Sequence, residues 1–288
     1  MAGLKSRIQK RKRKSTSLQS CSTKKRAEWI NDGKESLNNK VLNSIGVCGG
    51  QVRPDELKQG DEESDLVGIL MPIRGPSNHQ GSVTFVLEEA SLTLAYIGKR
   101  YQILSSDEHA DYLRKKKLNP YDYRPDIVHE ALLQIMDSRL RMAGRLSAVY
   151  IKTDGGALIK VEPFAQIPRT LASFCNMMAQ LLQKLSIKAK GKGIKLLRLV
   201  DNPVTKHLPF NSYKIGLSFS SEKAVQLRDY IKGIRSNSDM VFVVGAMAHG
   251  KIKCDYIEDL VSVSPHHLSS GICLRCINIA LERMWSIL

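Results

Sequence analysis

The 288-residue chain carries 44 basic and 28 acidic residues, a net charge of +16, which favours a polyanionic partner. No stretch of about 18 apolar residues occurs and no signal-peptide apolar core follows the basic start, so we expect a soluble, intracellular protein with no membrane partner. At this length the chain has room for one large domain with a tail, or for two small domains.

The positive charge is concentrated at the start of the chain. Residues 1–26 contain ten basic residues and no acidic one, so the remainder holds 34 basic and 28 acidic residues, a net charge of +6. The unbroken basic run 10–14 is typical of a nuclear-import signal, and the alternative is a solubilising tail. Residues 1–64 have too little apolar surface to offset the entropy lost on ordering. We therefore predict a mostly disordered, basic targeting tail over residues 1–78 and one domain over residues 79–288.

From residue 82 onward, β-favouring runs alternate with helical patterns. The predicted strands, in chain order, span residues 83–87, 101–104, 148–152, 157–161, 195–200, 215–219 and 241–244. Helices are predicted after Pro125, after Pro168, over about 222–234, and from about Ser269 to the end of the chain. This alternation predicts an α/β fold with a largely parallel sheet covered by helices, with a hairpin at the Asp154-Gly155-Gly156 turn.

The spacing of apolar residues predicts which helix faces are buried. In the helix after Pro125 these residues are Ile127, Ala131, Leu132, Ile135 and Met136. In the helix after Pro168 they are Leu171, Phe174, Met178, Leu181, Leu182 and Leu185. The stripe of the last helix consists of Ile272, Cys273, Cys276, Ile279, Ala280 and Ile287.

The two cysteines of the last helix admit a second interpretation. Cys273-x-x-Cys276 has the spacing of zinc ligands, and Cys254, His266 and His267 are close in sequence. No second Cys-x-x-Cys or His-x-x-x-His pair accompanies them, so core cysteines are the simpler explanation and we predict no metal. The six cysteines form no disulfide-like framework, in agreement with a reducing compartment.

The segment from Val241 to Lys251 is the most informative stretch of the chain. Its four leading apolar residues predict a buried strand, and the loop that follows is bracketed by Gly245 and Gly250. Glycine permits positive φ and lets a ligand lie against bare backbone, and ligands in open α/β sheets collect at the carboxyl ends of strands. The spacing is not that of a dinucleotide fingerprint, and a plain exit from the strand is the alternative.

Several further motifs accompany this loop. In chain order, the set consists of Arg124-Pro125-Asp126-Ile127-Val128-His129, Ile167-Pro168-Arg169-Thr170, Asp201-Asn202-Pro203-Val204-Thr205 with His207-Leu208-Pro209, the loop 245–251, and Leu268-Ser269-Ser270. Together they resemble the pseudouridine N1-methyltransferases of small-subunit ribosome assembly, the nucleolar essential protein family of the SPOUT superfamily. The resemblance covers about residues 82–288.

This resemblance implies more than the residues alone indicate. It implies a SPOUT-type α/β domain whose C-terminal part forms a deep trefoil knot, S-adenosylmethionine as the methyl donor, and N1-methylation of a pseudouridine in small-subunit rRNA. It further implies a homodimer that works with assembly factors of the small-subunit pre-ribosome in the nucleus and nucleolus. Methyl transfer from an activated sulfonium depends mainly on alignment and needs little acid–base machinery.

The resemblance also assigns cofactor-binding residues to three loops. A bent cofactor needs backbone donors, glycine clearance and apolar cover for its adenine. Carried over position by position, the residues are Leu217 in the first loop, Gly245, Gly250, Lys251 and Ile252 in the second, and Val263, Ser264, Pro265, His266, His267 and Leu268 in the third.

RNA contacts are assigned to the first two motifs. The resemblance implies that Arg124 meets the RNA and that Asp126 holds Arg124 in place, and Asp126 could also accept the N1 proton. Arg169 is a further RNA residue, and Gln166 and Ser173 occupy the flanking positions at which family members carry arginine. The Arg-Pro-Asp sequence is also typical of a plain helix start.

The departures from the family pattern leave two interpretations open. Gln166 and Ser173 remove two possible phosphate contacts, and His266-His267 replaces the family's Tyr-Pro. One interpretation is an active rRNA methyltransferase. The other is a diverged, non-catalytic RNA-binding assembly factor with the same fold.

Overall fold

The computed structural model describes residues 81–191 and 193–287, so the predicted tail lies outside the described residues. The strands are β1 (Val83–Ala90), β2 (Leu94–Ile97), β3 (Arg100–Ile103), β4 (Leu146–Thr153), β5 (Leu158–Val161), β6 (Ser186–Lys188), β7 (Lys195–Val200), β8 (Tyr213–Leu217), β9 (Met240–Gly245) and β10 (Asp259–Val261). The α-helices are α1 (Ala110–Lys115), α2 (Pro125–Met136), α3 (Arg139–Met142), α4 (Leu171–Lys184), α5 (Leu227–Lys232) and α6 (Ser270–Met284). Two 3-10 helices span Pro120–Asp122 and Val204–His207.

Eight of these strands form one sheet in the order β10-β8-β9-β1-β4-β5-β7-β6. Neighbours from β10 to β4 pair in parallel, and the remaining pairs are antiparallel. The predicted α/β class with a mostly parallel sheet is therefore confirmed, and the predicted hairpin joins β4 to β5. Strands β2 and β3 form a separate antiparallel ribbon.

The centre of the sheet is covered on both faces. Almost every residue of β1 and β9 is buried, as expected for parallel strands between two layers. On one face, the stacked rings of Phe85 and Phe242 pack with α2, α4 and α6. On the other face, Val86 and Val243 pack with the second 3-10 helix and the loop residues around Tyr256. Among the described helices, none is long and apolar enough to cross a bilayer.

The buried faces of α2 and α4 were largely predicted, and that of α6 was predicted in part. Of its predicted stripe, Ala280 is buried and Cys273, Cys276 and Ile287 pack against the core, whereas Ile272 and Ile279 are 48% and 40% exposed. The helix packs against α2, where the Asn278 side chain donates a hydrogen bond of 2.9 Å to the Gln134 carbonyl. A polar residue thus occupies a core position, which the spacing of apolar residues alone does not predict.

Smaller differences have similar local causes. The helix expected over 222–234 is limited to α5, because Val225 donates its backbone N–H to Ser262 instead of continuing the helix. Ile127 is half-buried and Val128 takes the core position. Leu185 ends α4 in the left-handed conformation, φ 63°, and is exposed rather than part of the stripe.

Candidate functional site: a cleft at the strand ends

Three loops meet at the carboxyl ends of β8 and β9 and enclose a cleft of about 780 Å³, its open mouth included. Its position is that of a ligand site in an α/β sheet. Ten of the eleven predicted cofactor residues line this cleft, and Pro265 does not. The ten are Leu217, Gly245, Gly250, Lys251, Ile252, Val263, Ser264, His266, His267 and Leu268.

Nine further residues line the cleft that sequence reasoning missed, and four of them directly adjoin a predicted position. Phe219 lies two residues beyond β8, and the centroid of its ring is 3.7 Å from that of His267. The additional lining residues are Ser218, Phe219, Val244, Met247, Ala248, His249, Ser262, Ser270 and Cys273. All the lining side chains that can carry charge at neutral pH belong to lysine or histidine, so the cleft suits a ligand that presents a carboxylate.

The two glycines of the second loop are constrained for different reasons. Gly250 has φ +125°, a conformation that L side chains rarely adopt. Gly245 does not need positive φ. A Cβ built on Gly245 would lie 2.9 Å from Met247 Cε and 3.5 Å from Ile252 Cγ1, and both residues line the cleft. Glycine is therefore required at 245 for a steric reason, because a side chain there would push Met247 and Ile252 out of their positions in the cleft wall.

Backbone hydrogen bonds hold the three loops together. The Ala246 N–H donates to the Glu88 carbonyl at 2.8 Å, and the Ser218 N–H donates to the Val261 carbonyl at 3.0 Å. The hydroxyl of Ser270, the first residue of α6, donates to the Gly245 carbonyl. These contacts join the second loop to β1 and α6, and the first loop to the edge strand β10.

A buried carboxylate anchors the far end of the second loop. Glu88, at the carboxyl end of β1, is 1% exposed and accepts a 2.6 Å hydrogen bond from the Tyr256 hydroxyl. The Lys152 Nζ lies 3.2 Å from the same carboxylate. Burial, and then the bond to Glu88, raise the pKa of Tyr256 far above its ordinary value, and burial beside Glu88 raises the pKa of Cys254 to about 12. Tyr256 therefore acts as a fixed hydrogen-bond donor that ties the loop to β1.

Replacing Tyr256 with phenylalanine should lower the free energy of unfolding by about 2 kcal/mol, because a buried carboxylate loses a hydrogen bond. It should also weaken ligand binding, since the loop that carries Lys251 and Ile252 loses its anchor. Urea unfolding and calorimetric titration of the same variant would measure both effects. Tyr213→Phe is the matched control, because Tyr213 is exposed at the opposite end of the sheet. Unaltered stability in Tyr256→Phe would contradict the anchoring role.

Arg124 and Asp126 form a forked pair at the start of α2. Arg124 Nε donates to Asp126 Oδ1 at 2.8 Å, and the second Arg124 nitrogen donates to Oδ2 at 2.6 Å. Burial alone would raise the pKa of Asp126, but the hydrogen bonds and charge of Arg124 outweigh it and hold this pKa below its ordinary value. The same hydrogen bond raises the pKa of Arg124 above its ordinary value. A carboxylate engaged in this way is a weak proton acceptor, so the geometry favours the positioning role of Asp126 over the role of base.

Arg169 lies at the other end of α2. Its guanidinium pairs with Asp137, the residue that ends the helix, and is 72% exposed. The loop before Arg169 is fixed to the middle of α2, where His129 Nε2 is 2.7 Å from the Pro168 carbonyl oxygen. Helix α2 has twelve residues and is therefore about 18 Å long. The carboxylates that pair with the two guanidinium groups, Asp126 and Asp137, thus lie near opposite ends of one helix.

The two positions that lack the family's arginines flank the Arg169 loop. Gln166 is half-buried, whereas Ser173 is exposed in the first turn of α4. The Ser173 N–H donates to the Thr170 hydroxyl at 3.3 Å, which caps the helix. Exposed backbone N–H groups at such a helix start can still bind a phosphate where the arginine is missing.

Helix α2 connects these residues to the cleft. Gly271, in the first turn of α6, approaches Glu130 of α2 so closely that a Cβ on it would lie 2.3 Å from Glu130 Oε1. Ser270 and Cys273 of the same turn line the cleft. The candidate RNA residues and the candidate cofactor cleft are therefore built on two helices in direct contact.

The zinc interpretation gains no support from the part of the chain that the structure describes. No group of three or more His, Cys, Asp or Glu residues there is arranged to hold a metal ion. Cys273 packs partly against the core, and burial, with a smaller contribution from Cys276, raises its pKa to about 11.

Comparison with known proteins assigns the family. The profile described as EMG1/NEP1 methyltransferase matches residues 85–282. Ribosomal RNA small subunit methyltransferase NEP1 of Mus musculus is 43% identical over 203 residues, covering 70% of this chain and 82% of the relative. The Homo sapiens protein of the same name is 39% identical over 240 residues, covering 82% and 97%. The crystal structure of Archaeoglobus fulgidus Nep1 bound to S-adenosylhomocysteine shares the fold, with a TM-score of 0.56, 22% identity, and coverage of 72% of this chain and 99% of that chain. The resemblance inferred from the motifs is confirmed, and the chain belongs to the EMG1/NEP1 methyltransferase family.

Proposed function

We propose that this protein methylates N1 of a pseudouridine in small-subunit ribosomal RNA, with S-adenosylmethionine as the donor. The observation that carries the proposal is the cleft at the ends of β8 and β9, lined by ten of the predicted cofactor residues. The relatives named rRNA small subunit methyltransferase support the substrate, and the archaeal structure with S-adenosylhomocysteine, the demethylated form of the donor, supports the cofactor.

The residues of the cleft fit this cofactor. Lys251 suits the carboxylate of the methionine part, and Leu217, Ile252 and Leu268 offer apolar cover for adenine. Bare backbone at Gly245 and Gly250 allows close approach. When bound, S-adenosylmethionine supplies an activated methyl group on a cationic sulfur.

The protein's contribution to the reaction is alignment. When bound, the donor would give its methyl group to N1 as the carbon–sulfur bond breaks, which leaves S-adenosylhomocysteine, and the N1 proton would pass to water. Arg124, held by Asp126, binds and orients the RNA, and the loop contacts around Gly245 fix the donor side. Asp126 acts through Arg124, since both its oxygens accept hydrogen bonds from that guanidinium.

The proposal extends to the knot and the homodimer that the family resemblance implies. After edge strand β10, the chain returns through the loop 262–269 to the centre of the sheet, where Ser270 bonds to Gly245. This return from the edge of the sheet to the second loop supports a C-terminal trefoil knot. The exposed Ile272 and Ile279 of α6, beside the groove that α6 forms with α2, support pairing with a second copy.

We also propose that the protein accumulates in the nucleus and nucleolus and works there with small-subunit pre-ribosome assembly factors. The basic run 10–14 motivates this proposal. A chain lacking residues 1–64 should methylate a short RNA at the full rate but lose nucleolar accumulation in fluorescence microscopy. Nucleolar accumulation of the truncated chain would contradict the targeting role.

Two measurements on the full chain test the proposed function. Calorimetric titration with S-adenosylmethionine should show one site per chain. Incubation with an RNA that contains pseudouridine should then add one methyl group, detectable by mass spectrometry. The same RNA with uridine is the matched control, because N1 of uridine is bonded to the ribose and has no proton to lose. Absence of cofactor binding would favour the alternative, a non-catalytic RNA-binding assembly factor.

A further inference from the structure

Two tyrosines project into solvent from the ribbon formed by β2 and β3. Tyr96 and Tyr101 are directly opposite in the antiparallel register, so their side chains lie on the same face. Their ring centroids are 5.2 Å apart with an angle of 65° between the planes, and the residues are 61% and 50% exposed. The rings therefore form one continuous aromatic surface in contact with water.

The other residues of the ribbon pack against the domain, so the exposed tyrosines stand on a fixed base. On the same face, Ile103 and Leu94 pack into the main core. On the opposite face, Ala95 and Ile97 pack against a small cluster that includes Leu113 of α1. The tyrosine rings are held in a fixed place by a ribbon that is buried at its base.

Two cations flank the tyrosine pair at the turn of the ribbon. The turn residues Gly98 and Lys99 both have positive φ, 56° and 74°, as a two-residue hairpin turn requires. Asparagine, aspartate or glycine is usual at such positions, and lysine adopts this conformation at an energetic cost. Lys99 and Arg100 are both exposed. Arg100 is directly opposite Ile97, so its side chain starts on the other face of the ribbon, and Lys99 is the cation of the turn next to the tyrosine face.

The ribbon adjoins the residues predicted to contact RNA. Strand β3 packs against α4, whose first turn contains Ser173 and follows Arg169. The segment that leads from the ribbon is tied to the start of α2 by a 2.8 Å bond from the Ser106 N–H to the carbonyl of Tyr123, the residue before Arg124. The ribbon that carries the tyrosine pair is thus connected both to the helix that follows Arg169 and to the start of α2.

From these observations we infer that Tyr96 and Tyr101 form a stacking platform for an unpaired nucleotide that flanks the methylated one, with Lys99 binding an adjacent phosphate and Arg100 contributing positive charge at the edge of the ribbon. The inference rests on the proposed function, because it assumes an RNA substrate. Aromatic faces stack on any base, and nearby cations neutralise the backbone, which together are the features of single-stranded RNA sites. An apolar protein partner would not need the two cations, so RNA fits the surface better.

The test compares the parent protein with the double variant Tyr96→Ala, Tyr101→Ala. Binding of a fluorescein-labelled, single-stranded oligouridine that contains one pseudouridine is measured by anisotropy at several salt concentrations. The double variant should bind about tenfold more weakly or worse, with an unchanged salt dependence, because stacking neutralises no phosphate. Its affinity for S-adenosylmethionine and its melting temperature should equal those of the parent, since both side chains are at least half exposed.

Matched variants separate the ring faces from other effects. Tyr96→Phe with Tyr101→Phe should bind RNA like the parent, because the ring face and not the hydroxyl makes the contact. Lys99→Ala with Arg100→Ala should flatten the salt dependence. Tyr213→Ala removes a similarly exposed tyrosine at the far end of the sheet and should leave RNA binding unchanged.

Parental RNA affinity in the Tyr96→Ala, Tyr101→Ala variant would overturn the inference while leaving the proposed function intact. A change in its sedimentation from dimer to monomer would overturn it as well and would assign the platform to a second copy of the chain. If the parent itself binds no RNA, the proposed function is wrong and the platform is wrong with it.

Discussion

Replacing Gly245 with valine should lower the affinity for S-adenosylmethionine more than about tenfold while the domain stays folded. A Cβ at this position would lie 2.9 Å from Met247 Cε, so this methyl group has to shift. Because Met247 lines the cleft, the shift changes the cleft wall. The added methyl groups of valine displace it further and approach Ile252. Stability should change little, because β-branched residues favour strands and the clash involves the flexible end of a side chain. Calorimetric titration and thermal unfolding of the same variant measure the two quantities.

Two neighbouring substitutions serve as controls for this expectation. Gly245→Ala adds only the Cβ, so it should reduce cofactor affinity less than valine does. Gly250→Ala acts differently, because φ +125° strains any L residue, and it should lower stability together with affinity. If Gly245→Val binds S-adenosylmethionine as tightly as the parent, the assignment of this loop to the cofactor is wrong.

The cleft could be predicted from the sequence because its chemistry depends on local features. A buried apolar run that ends at Gly245 marks a strand exit, and strand exits of parallel sheets lie at one edge. The motifs then assign the neighbouring loops, which is why residues as distant as Leu217 and His267 line the same cleft. The strand at 215 and the loop before α6 meet there because β10, which leads into that loop, pairs in parallel with β8.

Contacts between residues far apart in sequence could not be predicted. Glu88 and Tyr256 are separated by 168 residues, and nothing local to either indicates that the carboxylate is buried under that hydroxyl. The pair of Arg169 with Asp137 is similar, since it depends on the fixed distance between a loop and the end of α2. The buried face of α6 depended on which helix it meets, so its own spacing of apolar residues was insufficient.

Changing Arg124 to alanine should weaken RNA binding and reduce turnover at least about tenfold, with an almost unchanged affinity for S-adenosylmethionine. The guanidinium fork can pair with a phosphate, and its plane can stack on an unstacked base. Asp126 holds this fork by two hydrogen bonds at 2.8 and 2.6 Å, so the side chain is oriented before RNA arrives. The target nucleotide has to leave its stack to align N1 with the methyl group, and a prepositioned arginine helps to hold it there.

A purely structural role for the pair makes a different prediction. The two side chains are 39% and 37% exposed, so their loss should cost no more than about 1 kcal/mol of unfolding free energy. The pKa of Asp126 is lowered in the folded protein, so the stability that the pair contributes is present at neutral pH and is lost as the pH falls through this pKa. The difference in stability between parent and Arg124→Ala should therefore vanish in acid.

Three variants measured together separate the two roles. Arg124→Lys keeps the positive charge but loses the planar guanidinium group. If that group contacts RNA, the variant should retain more of the parent's stability than of its RNA affinity. Asp126→Asn leaves Arg124 in place but loosens its orientation, so it should lower turnover less than Arg124→Ala does. A reduced melting temperature with parental RNA affinity in Arg124→Ala would show that the pair only fixes the start of α2. A contact between Arg124 and RNA would be shown by reduced RNA affinity, a flatter salt dependence and parental cofactor affinity. Loss of a phosphate contact flattens the dependence of RNA affinity on salt concentration, whereas loss of a helix start does not.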